Sequence, residues 1–200
     1  SEWTKFLSLR STRWTLGLFP VAAIAFGIII GAATGAHWPH MSAASRATFD
    51  PTNNLLAGLI PGYLVIPVLG VLMMTSEYSS GSIRSALAGV PRRPMLLAAK
   101  GIVFAAVAFG ASEVATFSTF FAGQAVMGSA PRASLGQPAV LQALLLSGAF
   151  LVLMGLFGLG LGAILRRSAA AVAAYAGLAV VVPPLLHILP GNLGRYGPII

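Results

Sequence analysis

Cysteine is absent from this 200-residue chain, which excludes disulfides, thiolate metal sites and cysteine nucleophiles. Charge is almost as scarce: 8% of residues are charged, against about a quarter in a typical soluble domain. With only four acidic residues there are no paired carboxylates and no catalytic triad, so an enzyme is not expected. A phosphate loop of the form G-x-x-x-x-G-K-[ST] is missing, so the chain itself is not expected to bind ATP in the usual way. His37, His40 and His187 have no acid close by, and no metal site is expected from them.

What the chain has instead is apolar length. It is 57% hydrophobic, with a mean hydropathy of +0.88. Its apolar runs reach the roughly 20 residues that a helix needs to cross a bilayer. The net charge of +8 does not point to nucleic acid, because the basic residues sit beside the ends of the apolar runs and form no continuous face. The first run is longer than the apolar core of a cleaved leader and has no small-residue cleavage site, so it reads as an uncleaved anchor. The fold class that follows is all-α and polytopic, a single transmembrane domain over 1–200.

Five spans are predicted, at 14–36, 55–74, 97–127, 138–165 and 169–189. All should be helices, because an open strand in lipid leaves its backbone polar groups unsatisfied. Pro20 falls near the start of the first span, Pro61, Gly62 and Pro67 interrupt the second, and Pro183 and Pro184 end the fifth. Lys5, Arg10, Arg13, Arg84, Arg92, Arg93, Lys100, Arg166 and Arg167 fall on one side; only Arg46, Arg132 and Arg195 fall on the other. That asymmetry puts the N-terminus and the 75–96 loop in the cytoplasm. The residues SEWTKFLSLRSTR, 1–13, read as an interfacial helix with aromatic rings at headgroup depth and cations toward anionic lipid. Five spans leave the external segment 190–200 leading toward an expected sixth helix beyond the C-terminus.

The densest polar stretch is TSEYSSGSIRSALAGVPRRP, 75–94. Gly81 permits a tight change of direction after Glu77 and Tyr78. A short amphipathic helix over 82–90 then presents Ile83, Leu87 and Val90 on one face. Pro91 and Pro94 stop it, and Arg92 and Arg93 anchor the next span at the headgroups.

The segment SEYSSGSIRSALAGVPRRPMLLAAK closely resembles the cytoplasmic loop of type-2 ABC transporter permeases, especially their actinobacterial branch. The opening SEWTKFLSLRSTRWTL and the stretch GLGLGAILRRSAAAVA resemble other parts of the same branch. The resemblance implies a coupling loop over 76–93, with Glu77, Tyr78, Gly81, Ile83 and Arg84 in or beside the helix that docks on a separate ATPase. Arg92 and Arg93 extend that contact surface. It also implies six spans per subunit and a second permease, either another copy or a relative. No cofactor is expected in this chain, since ATP and Mg would be bound by the ABC ATP-binding partner.

Away from the span ends, Glu113 is the one formal charge inside a span. A carboxylate at the bilayer centre costs roughly 2.5–3.5 kcal/mol on insertion scales, so it should face the bundle interior or be protonated. Thr116, Phe117, Phe120 and Gln124 fall on the same side of the helix and make a polar–aromatic stripe suited to a translocation path, or to packing. Gly158 and Gly162 form a small-xxx-small pair for close helix approach. The function expected is therefore the permease subunit of an ATP-driven exporter of a drug, lipid or other amphipathic compound, in a bacterial plasma membrane. The alternative is a stand-alone proton-coupled carrier that uses Glu113.

Overall fold

The computed structural model describes the backbone of residues 10–81 and 93–188, and the side chains of 14–81 and 95–182. Within these residues there are helices and connecting turns, with no strand. Four segments are long and apolar enough to cross a bilayer: Trp14–His40, Pro51–Ser79, Met95–Val126 and Pro138–Leu165. The chain is thus an all-α protein of membrane-spanning character.

The first helix, α1, runs Arg10–His37 without a break, so residues 10–13 continue directly into the first span and Pro20 lies inside the helix. A 3₁₀ turn at Trp38–His40 and two short helices, α2 (Ala43–Ala47) and α3 (Pro51–Leu56), follow. Both short helices are fixed by their caps. Ser42 accepts a hydrogen bond from the Ser45 N–H at 3.2 Å, and Asp50 accepts from the Thr52 N–H at 2.8 Å with Pro51 in the first turn. This capped segment between the first two spans was not anticipated from the apolar pattern.

A second 3₁₀ turn, Ala57–Leu59, precedes α4 (Gly62–Ser79). The second span is therefore broken near Pro61, and its main helix runs five residues past Met74, where the hydropathy pattern ended it. In that extension the serine and threonine hydroxyls are satisfied by the helix's own carbonyls. Thr75 donates to Val71 at 3.0 Å and Ser79 donates to Ser76 at 3.0 Å.

Then come α5 (Arg93–Val126), α6 (Pro138–Leu165) and α7 (Ser168–Ile188). The bounds of α6 match the sequence reading because Pro138 opens the first turn and Arg166 closes the last in the left-handed region, φ 55°. The fifth predicted span falls on α7, whose apolar stretch with described side chains, Ser168–Val182, is shorter than the other four and is not among the segments long enough to cross a bilayer. The 190–200 segment and most of the N-terminal 1–13 segment lie outside the described residues.

Packing is organised as two close pairs. α1 lies along α5, α4 lies along α6, and α5 joins α6 to close the bundle; α7 packs on α6 and α4. Backbone proximity sets both pairs: a Cβ at Gly31 would overlap the Gly123 carbonyl, and one at Gly70 would overlap the Gly155 carbonyl. The core around Phe19, Ile66, Phe104 and Leu151 fills the middle, and a second cluster around Leu55, Phe120 and Leu144 fills the end nearer α3. Large apolar side chains also point outward, among them Ile102, Leu153 and Ile164, which are 71%, 60% and 76% exposed. An apolar exterior around a packed interior is what a bilayer solvent favours.

Candidate functional site

The end of the bundle that carries Arg166 and Arg167, hereafter the basic end, holds the one ion pair found among the described residues. The Lys100 ammonium, from the third turn of α5, meets Oε1 of Glu77 in the last turn of α4. The Lys100 side chain is 1% exposed and that of Glu77 is 14% exposed. The second carboxylate oxygen of Glu77 is buried without a hydrogen-bond partner among the described residues. Desolvated pairs of this kind add little net stability against an apolar substitute, yet losing one partner strands the other charge. The pair therefore acts as a clamp that fixes α4 against α5.

Tyr78, one residue on, ties α4 to α6. Its hydroxyl donates to the Ala163 carbonyl at 3.5 Å, and the Arg166 guanidinium lies 5.6 Å from its ring centroid. Arg166 is held in its left-handed conformation by its own N–H, which donates to the Gly162 carbonyl at 3.0 Å. Beyond Tyr78 the helix closes with Ser80 donating to Ser76 at 3.0 Å, and Gly81 turns the chain at φ 71°, where glycine has no Cβ penalty. Glu77 and Tyr78 thus belong to a capped helix end braced on two sides. Their neighbours in the predicted contact, Ile83, Arg84 and Arg92, lie outside the described residues; Arg93 opens α5, and its side chain lies outside them too.

The importance of Lys100 was missed in the sequence, where it counted only as one more basic residue near a span end. The signal available was the pairing of a lone Glu and a lone Lys, each within a turn or two of the same loop.

The stripe on α5 divides between two neighbours. Thr116 and Phe120 are 0% and 1% exposed, Gln124 is 9% exposed, and Phe117 is half-buried. Thr116 donates to the Ser112 carbonyl at 2.8 Å, and Phe120 packs with Leu55 and Leu144. Glu113 instead turns toward α6, its carboxylate set in the notch left by Gly148, where a Cβ would overlap it. Both carboxylate oxygens are buried without a hydrogen-bond partner, as are the hydroxyls of Ser112 and Thr119. An unpartnered buried carboxylate is costly as an anion, and less so when protonated.

Gly158 and Gly162 lie against α4, the first under the Pro67 carbonyl and the second 2.9 Å, measured from an added Cβ, from the Val71 carbonyl. The sequence reading overlooked a longer series on α1, Gly27, Gly31 and Gly35, each at a backbone crossing with α5. Its four-residue spacing in FGIIIGAATG was the visible signal.

Open cavities lie at both ends of the described bundle. One of about 470 Å³ lies at the basic end between α1, α4 and the α6–α7 junction. The other, about 410 Å³, lies at the opposite end beside Asp50, Arg132 and Gln137. Among the described residues no three His, Asp or Glu side chains gather as a metal site; the side chain of His187 lies outside them. No family model, curated protein or solved structure matches the chain.

Proposed function

We propose that this chain is the membrane-spanning permease subunit of an ATP-driven ABC transporter, working as an exporter in a bacterial plasma membrane with its N-terminus in the cytoplasm. The resemblance of the 76–100 segment supports the reading, and the observation that carries it is the double brace at the end of α4. Glu77 holds α4 to α5 through Lys100, while Tyr78 holds it to α6 through Ala163 and Arg166. Force applied to the segment after Gly81 would therefore reach three helices together. A soluble ATPase that grips this segment on binding ATP, and releases it on hydrolysis, would bias the bundle between two packings. Two copies, or one copy with a related permease, would enclose a path for a drug, lipid or other amphipathic compound.

Glu113 favours a second reading, a stand-alone proton-coupled carrier, because its carboxylate is buried and unpartnered between α5 and α6. Affinity purification from native membranes under gentle extraction separates the two. The permease reading expects a stoichiometric nucleotide-binding ATPase to co-purify. Recovery of the chain without one would overturn it in favour of the carrier.

A further inference from the structure

We propose that the cavity at the basic end binds a phosphate oxyanion, presented by the headgroup of an anionic membrane lipid. Arg166 and Arg167 line one side of this space of about 470 Å³. Ser76 and Ser79 also line it, with their hydroxyls donated to the Met73 and Ser76 carbonyls of α4. No lining residue among those described carries negative charge. The nearest acid in sequence, Glu77, is committed to Lys100.

Arg167 is exposed and makes no described ion pair or hydrogen bond through its guanidinium. A guanidinium fork suits two phosphate oxygens at once, and a second guanidinium beside it can reach a third. The other wall is apolar. Leu69 and Met73 are buried, and Leu72, 41% exposed, stands where the cavity meets the outward apolar surface. Two cations beside an apolar wall that ends at the exposed Leu72 match a phospholipid, whose acyl chains would leave along Leu72, better than they match a soluble phosphate. Basic pockets between helices at a membrane's cytoplasmic edge take anionic headgroups in this way.

Such a lipid would lie against the last two turns of α4 and the α6–α7 junction, and would steady the braced end from a third side. The inference needs a membrane but no ATPase, so its failure and that of the permease reading are separable.

The test is native mass spectrometry on the full chain in detergent, titrated with dioleoylphosphatidylglycerol or dioleoylphosphatidylcholine. Selective retention of phosphatidylglycerol is expected, with apparent affinity falling about tenfold in Arg167→Gln, as loss of one charged phosphate contact predicts. Arg166→Asn, which keeps a side chain tolerant of the left-handed region, should fall similarly. Competition by glycerol 1-phosphate at millimolar concentration would identify a soluble phosphate ester as the occupant and overturn the lipid assignment. Equal retention of the two lipids by the wild-type chain, or unchanged selectivity in both variants, would overturn the site itself. The wild-type comparison stands even where a variant fails to fold.

Discussion

Lys100→Met is expected to destabilise the bundle by about 3–5 kcal/mol, the usual penalty for leaving one charge of a buried pair without its partner. The Lys100 side chain is almost wholly enclosed and Glu77 nearly so, and one Glu77 oxygen is already unpartnered. Removing the ammonium leaves a largely buried carboxylate with no described donor on either oxygen. The double variant Glu77→Gln/Lys100→Met should recover most of the loss, because it removes both charges and keeps the volume. Reversible unfolding in detergent reads both effects. A single-variant loss under about 1 kcal/mol, the scale of an exposed surface pair, would show that water reaches the pair and that the clamp is weak.

Gly31→Leu is expected to separate α1 from α5. At Gly31 the two backbones are so close that even a Cβ would overlap the Gly123 carbonyl, and a backbone cannot swing aside as a side chain can. Overpacking of this kind costs about 3 kcal/mol where the neighbours cannot move, and here the affected contact is one of the two principal helix pairs. Gly110→Ala is the matching control, since a Cβ there meets nothing within 4 Å. Thermal unfolding of the purified chain should drop sharply for Gly31→Leu and stay level for Gly110→Ala. Equal behaviour would mean that the α1–α5 contact does not hold the bundle together.

The contrast between these sites shows what the sequence made legible. Long apolar runs were, because hydropathy is a local property. The limits of α6 were readable from Pro138 and the Arg166–Arg167 pair, each of which acts on its own turn. The end of α4 was not, because TSEYS is polar in composition yet stays helical with its hydroxyls on its own carbonyls and Glu77 and Tyr78 packed on α5 and α6. The break near Pro61 was half-visible. The proline marked it, but the reason the chain tucks in there is Gly58, whose added Cβ would lie 2.5 Å from Thr119 of α5, and no local pattern encodes that contact.

The candidate site was legible only in part for the same reason. Glu77 and Tyr78 stand out as polar residues at a span end. Their partners Lys100, Ala163 and Arg166 lie far along the chain and are brought together by packing. The α5 stripe reads as one face on a helical wheel, but its members meet different neighbours: Phe120 turns into the cluster with Leu55 and Leu144, while Glu113 lies in the Gly148 notch of α6.

The central claim is that the segment after Gly81 touches a soluble ATPase, and a photo-crosslinking residue in place of Ser82, in native membranes, tests it most directly. The same group in place of Ser42, which caps a short helix at the opposite end of the bundle, is the control. The account predicts an adduct with a nucleotide-binding protein from Ser82 and none from Ser42. The same adducts from both positions, or none from Ser82, would contradict it.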